Sequence, residues 1–199
     1  MRFHKVLAFT LLTVLLFASA ALSAQNVTVF GIEKGQVPAM EIGLGYTFLH
    51  ANAPPPGQCG CFSLNGGSLT WVVNMPRGFS LVADFTGAHA SKVNASDQNI
   101  GLFDFVFGLR YTLRKHRYQP YVEGLAGGSN ELSNYAYVSN VTALAIQAGA
   151  GLNTTLNRYI AFNIVEADYI YSQLPNGVNN NYQNDLRIRT GIIFRFGPR

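Results

Sequence analysis

Between residues 40 and 196 the chain alternates apolar and polar positions with a period of two, in eight separate stretches. That is the period of an extended strand, whose successive side chains point to opposite faces. In residues 40–50, Met40, Ile42, Leu44, Tyr46 and Phe48 are opposed by Glu41, Gly43, Gly45, Thr47 and Leu49. The second stretch sets Leu69, Trp71, Val73 and Met75 against Ser68, Thr70, Val72 and Asn74. The third sets Leu81, Ala83 and Phe85 against Ser80, Val82, Asp84 and Thr86. In the fourth, Phe103, Phe105, Phe107, Leu109, Tyr111 and Leu113 share one side, opposite Asp104, Val106, Gly108, Arg110 and Thr112.

The fifth stretch, 120–128, carries Glu123 on its polar side. The sixth, 143–153, opposes Leu144, Ile146, Ala148, Ala150 and Leu152 to Gln147, Gly149, Gly151 and Asn153. Its alanines suit a helix, but the paired glycines and strict two-residue period favour a strand. In the seventh, 159–171, the pattern slips. Ile160, Phe162 and Ile164 share parity with Glu166 and Asp168, so either a bulge lies near Val165 or half the strand turns its apolar groups inward. The eighth recovers, with Leu186, Ile188, Thr190, Ile192, Phe194 and Phe196 against Arg187, Arg189, Gly191, Ile193 and Arg195.

Connections after odd strands, roughly residues 51–62, 92–98, 129–141 and 172–184, are long and rich in Asn, Ser, Gly and Pro. Those after even strands are tight: Pro76-Arg77-Gly78, residues 114–118, and Asn157-Arg158. All long loops therefore fall at one end and both termini at the other. That is the layout of a bacterial outer-membrane barrel, with tight turns in the periplasm. The strings of Phe, Leu, Ile and Tyr are too bulky to share an eight-strand lumen, whereas Gly, Ser, Thr and charges fit there. The expected fold is all-β: an eight-stranded antiparallel transmembrane β-barrel, oily side outward. A soluble calycin-like barrel is the alternative.

The first 24 residues read as a signal peptide. Arg2, His4 and Lys5 precede an apolar run from residue 6 to 17, and small residues from 18 to 24 offer cleavage before Gln25. An uncleaved anchor is the alternative, but the run is short for a bilayer. No cysteine stands at the cleavage point, so lipid anchoring is not expected. Residues 25–36 are expected as a periplasmic N-terminal segment and 37–199 as the barrel domain. Past residue 24 no apolar run approaches the roughly 18 residues of a membrane helix. With the signal removed the net charge falls from +4 to +2, too small a surplus to argue for nucleic acid.

The polar faces bring Glu41, Asp84, Asp104, Glu123, Glu166 and Asp168 toward the lumen, with Arg110, Arg187, Arg189 and Arg195. Charges in a narrow interior must be paired and hydrogen-bonded. The expectation is a network of guanidinium forks bridging carboxylates, which plugs the barrel and fixes its register. A gated ion path is the alternative, although eight strands leave an interior filled by side chains. No cofactor, metal ion or nucleic acid is implied.

Catalytic candidates are few. His116 lies in a basic turn among Arg114, Lys115 and Arg117, and His50 ends the first strand. His89-Ala90-Ser91 continues the lipid-facing parity of Phe85 and Gly87, where a His–Ser pair could attack a lipid ester. It resembles the His-x-Ser of lipid A deacylase barrels, but those continue with Asn, where this chain has Lys92, and carry the pair late in the chain. No enzyme is expected. Cys59 and Cys61 are the chain's two cysteines, in the first long loop. A loop disulfide is the first reading, strained by the single-residue spacing; metal capture lacks nearby ligands.

Glu41-Ile-Gly-Leu-Gly-Tyr-Thr-Phe, Leu81-Val-Ala-Asp-Phe-Thr-Gly, Val165-Glu-Ala-Asp-Tyr and Gly191-Ile-Ile-Phe-Arg-Phe-Gly together resemble the small outer-membrane β-barrel domain family. That family is similar to the transmembrane part of OmpA and to OmpX-type proteins, and such sequences are frequent in Acidobacteria-like bacteria. The resemblance covers roughly residues 37–197. It implies insertion by the outer-membrane assembly machinery, which recognises an aromatic last strand, here ending near Phe196. Gly197-Pro198-Arg199 departs by extending beyond that aromatic. It carries over no shared catalytic residues, and a cell-wall tether of the OmpA kind is not expected. The expected protein is a monomer among outer-membrane lipids and lipopolysaccharide, structural or adhesion-like, with an extracellular ligand at its outer loops. A narrow channel, or a lipid A-modifying hydrolase, is the alternative.

Overall fold

The computed structural model describes residues 37–51, 62–93, 98–114, 117–133, 141–174 and 182–197. The segments assigned to the signal peptide and to residues 25–36 lie outside these, as do Cys59, Cys61 and His116. Eight strands run in chain order: β1 (Met40–Ala51), β2 (Phe62–Asn74), β3 (Phe79–Val93), β4 (Gln98–Thr112), β5 (Tyr118–Ser133), β6 (Val141–Thr155), β7 (Ile160–Ser172) and β8 (Gln183–Phe196). Each pairs antiparallel with its neighbours, and β1 pairs with β8 to close a barrel. Closure leaves no strand edge unpaired, the condition for extended chain to sit in hydrocarbon.

The two faces of every strand separate as the periodicity predicts. Leu44 (51% exposed), Phe103 (43%), Leu109 (52%) and Ile192 (46%) lie on the outside, while Asp84, Asp168 and Arg187 are at 0%. Large apolar groups outside and charges inside invert the order of a soluble protein. The solvent this surface suits is lipid.

At the seventh strand the structure resolves the two readings in favour of the bulge. Leu152 pairs with Val165 but Asn153 with Asn163, which leaves Ile164 as the extra residue. Opposite β8, the register steps from Asn163↔Gly191 to Glu166↔Arg189. Ile164 and Val165 both face outward, so the bulge switches parity and brings Glu166 and Asp168 inside without turning Ile164 inward.

The strands outrun their sequence signals toward the long-loop end. The second begins at Phe62, ahead of its alternation from Ser68, and the third runs to Val93, past its alternation up to Thr86, each reaching the bound of the loop expected there. The alternation fades there because Gly66, Gly67, Gly87 and Ala88 replace bulky groups. A Cβ on Gly66 would stand 1.9 Å from the Gly87 carbonyl oxygen, so the two strands approach closely at that point. With β3 reaching Val93 and β4 starting at Gln98, strand takes up residues 92, 93 and 98 of the loop expected at 92–98.

The tight turns form at the other end. Arg77 (φ 64°) and Gly78 (φ 86°) both take left-handed backbone, and Met75 N–H donates to the Phe79 carbonyl at 2.8 Å. At the turn between β6 and β7, the Asn157 Oδ1 accepts from the N–H groups of Tyr159 and Ile160, both at 2.8 Å.

An arginine at the centre of the outer face should be costly in lipid. Phe107→Arg is expected to destabilise the folded barrel by about 2–4 kcal/mol in vesicles, read from guanidinium unfolding curves.

Candidate lumen ion-pair network

All ten charged residues assigned to the inner face are buried. Nearest the short turns, Arg195 on β8 donates from Nε to Glu41 Oε1 on β1 at 3.0 Å, across a direct register pair. Its other nitrogens donate to Thr155 and Gln119 at 2.9 and 3.1 Å.

The middle of the lumen is organised by Arg110 and Arg189. Arg110 on β4 faces its register partner Glu123 on β5, with Nη2–Oε2 at 2.6 Å and a hydrogen bond from Nε at 2.7 Å. Arg189 on β8 pairs with Glu166 on its neighbour β7 and, from its other nitrogen, with Asp84 on β3 across the lumen. Thr70 Oγ1 accepts from the same Arg189 nitrogen at 3.0 Å and donates to Asp84 at 3.3 Å. Above them, Arg187 Nε donates to Asp168 Oδ2 at 2.9 Å, and its Nη1 donates to Thr86 at 2.7 Å. Two arginines of β8 thus brace the opposite wall.

Asp104 behaves differently from the other carboxylates. It is buried but held by the Ser129 hydroxyl of its register partner, with no guanidinium paired to it among the described residues. The parity rule places a residue on a face; it does not say which partner a side chain of given length can reach.

Several members escape a search for charges alone. Tyr121 donates its hydroxyl to Glu166, accepts from Asn163 at 2.7 Å, and lies under the Arg110 guanidinium at 4.1 Å. Its parity with Glu123 was the available signal. The facing strand makes room: a Cβ on Gly151 would lie 2.4 Å from the Tyr121 hydroxyl. Asp185 is buried on the face of Arg187, just before the point where the eighth stretch becomes regular in sequence.

The lumen is not polar throughout. Toward the long loops, Leu49, Leu64, Leu102, Ile170 and Leu174 pack with Ala51, Ala88 and Ala90. Val72, Val82, Val106, Leu125 and Ala145 form a second apolar cluster along β2–β6. These residues sit on faces the alternation marks as polar, and they show that inward-facing means small or self-complementary, not charged. Among the charged groups lies a cavity of about 30 Å³ lined in part by Glu41, Ser68, Thr70, Arg110, Glu166 and Arg189. It has room for one or two waters, far from an aqueous passage.

Glu123, Glu166 and Asp168 bring carboxylate oxygens within 4.8 Å of one another, a spacing that could hold a metal ion. Each already faces a guanidinium, so arginines supply the positive charge that a metal would bring. On the outer surface, His89 Nε2 and Ser91 Oγ lie 3.1 Å apart, both exposed at the long-loop end of β3.

A closed barrel with an apolar outside, an ionic inside and its tight turns at one end has the build of an outer-membrane barrel. Solved structures agree on the fold. Neisserial surface protein A superposes with a TM-score of 0.62 at 11% identity, over 79% of this chain and 97% of that one. Ail, the attachment invasion locus protein of Yersinia pestis, gives 0.57 at 16%, over 80% and 99%. The outer membrane protein OprG of Pseudomonas aeruginosa gives 0.51 at 15%, over 83% and 99%. No protein-family model matches the chain, and no curated protein sequence does. The shared property is the small outer-membrane barrel fold.

Removing Arg189 would leave Asp84 and Glu166 without their bridging cation. Arg189→Met is expected to cost about 3–5 kcal/mol in detergent unfolding, whereas Arg77→Asn in a solvent-facing turn should cost nothing measurable.

Proposed function

We propose that this is a non-catalytic, non-conducting outer-membrane protein whose work is done by its long loops at the cell surface. The lumen carries the reading. Arg189 spans from Glu166 to Asp84, and the leucine cluster closes the long-loop end above it. A solute would have to break buried ion pairs and then displace packed apolar groups. Neither gating element nor continuous wet path accompanies them among the described residues.

With transport and chemistry set aside, what remains is a rigid wall presenting four connections at one end. Loops on a rigid scaffold are where recognition concentrates. Ail, which shares the fold, has been solved in complex with the heparin analogue sucrose octasulfate. An extracellular ligand at the loops is therefore the reading we favour, in a monomer inserted by the outer-membrane assembly machinery among lipids and lipopolysaccharide. We assign residues 1–24 to the export signal, 25–36 to the periplasm, and Cys59 and Cys61 to a disulfide in the first loop.

The hydrolase reading has one observation in its favour, the 3.1 Å contact between His89 and Ser91. Lipid A from cells expressing wild type and Ser91→Ala should carry identical acyl chains by mass spectrometry. A missing acyl group that returns with the mutation would establish the enzyme. Planar-bilayer recording tests the plug: the wild type should give no stable conductance steps. Steps that change when Arg189 or Asp104 is replaced would overturn it.

A further inference from the structure

The short-turn end of the barrel carries a pattern that neither the plug nor the outer loops account for. Each of its three connections holds an exposed arginine: Arg77 between β2 and β3, Arg117 between β4 and β5, and Arg158 between β6 and β7. Arg114 stands beside them, half-buried, donating to Asn74 and Ser80 at 2.6 and 3.0 Å. None of these connections contains an acidic residue. Glu41, one residue inside the start of β1, is buried against Arg195. Glu41 also acts on Arg114, whereas Arg77, Arg117 and Arg158 form a ring of exposed cations with no acidic partner among the described residues.

Arg77 adds an independent observation. It is the one described residue other than glycine with positive φ, a backbone conformation that favours Gly or Asn. Its side chain stands exposed in the turn.

Immediately above the ring, on the outside wall, stand Phe79, Tyr111, Tyr118, Tyr159 and Phe196, each between 40% and 57% exposed. Aromatic rings at this height mark a membrane–water boundary. Beside Arg158, whose guanidinium lies 4.7 Å over the Tyr159 ring, a cleft of about 470 Å³ opens between the ends of β7 and β8. Pro38, Tyr159, Phe194, Phe196 and Gly197 line it, giving an apolar floor beneath a cationic edge.

From this arrangement we infer that the short-turn rim is a binding collar for anionic phospholipid headgroups, with Arg158 and its cleft as the principal seat. A headgroup plane touches all three turns at once. A peptide or protein partner would instead call for a contiguous patch on one side. The aromatic girdle and apolar cleft floor suit acyl chains, which a free phosphate lacks. The collar holds the barrel at a fixed depth and selects acidic lipids around it. The inference rests on the membrane reading above.

The test compares the mature chain with an Arg77→Asn/Arg117→Gln/Arg158→Gln variant, in phosphatidylcholine vesicles holding trace spin-labelled phosphatidylglycerol or phosphatidylcholine. Asn suits the left-handed backbone at 77, so the variant should fold, as heat-modifiable gel mobility will report. The wild type should prefer phosphatidylglycerol by about fivefold or more. The preference should fall to near unity in the variant, and also in the wild type at about 1 M salt, where screening is short-ranged. Equal association of the two lipids with the wild type, or an unchanged preference in the variant, would overturn the collar. Abolition by millimolar inorganic phosphate at constant ionic strength would overturn it too, since the site would then be one for a free anion. A wild type that fails to insert at all sinks the membrane reading itself; insertion without lipid preference sinks the collar alone.

Discussion

Backbone that meets hydrocarbon must find every hydrogen bond within the protein, and the pairing of β1 with β8 is what allows this one to do so. Met40 faces Phe196 and His50 faces Leu186 along that seam, so first and last strands join over almost their full length. Once the ring is closed, its circumference is set. An eight-strand ring encloses only enough space for side chains. The rest of the molecule follows from how that small volume is filled.

The filling is an inversion of ordinary protein chemistry. The charged groups take the inside, where most carboxylates meet a guanidinium, and the bulk of the large apolar groups take the outside. Buried ion pairs contribute little net stability against well-packed apolar residues, but breaking one is costly. Their effect here is directional. Register partners such as Arg110–Glu123 and Arg195–Glu41 tie adjacent strands, while Arg189–Asp84 ties opposite walls. A strand slipped by one residue would turn its charges to lipid and its phenylalanines inward, so the ionic interior also specifies the pairing.

Much of this was legible along the chain because lipid and lumen impose a two-residue period that a strand cannot evade. The cleanest case is β4, whose run from Phe103 to Leu113 alternates throughout and is observed on alternating faces. Strand ends were less legible. Phe62–Gly67 lacks alternation because glycines admit close strand contact there, and backbone geometry leaves no trace in side-chain polarity. The lumen was legible as a set of residues but not as a set of partnerships. Nothing in local sequence says that Arg189 reaches β3, that Asp104 settles on Ser129, or that Tyr121 fits against Gly151. Those contacts join residues far apart in the chain and depend on closure. The apolar cap was missed for another reason: Leu49 and Leu102 fall on the inner parity, and a leucine there reads as an exception until its neighbours from other strands appear.

Hydrocarbon touches the outer face, and the chain's single tryptophan is placed to report on it. Trp71 lies on the outward parity of β2, paired with Ile42 and Ala83. Its fluorescence should be quenched strongly by lipids brominated along the acyl chain and weakly by acrylamide in the water. Strong acrylamide quenching with none from brominated lipid, in a protein that stays monodisperse without detergent, would contradict the account.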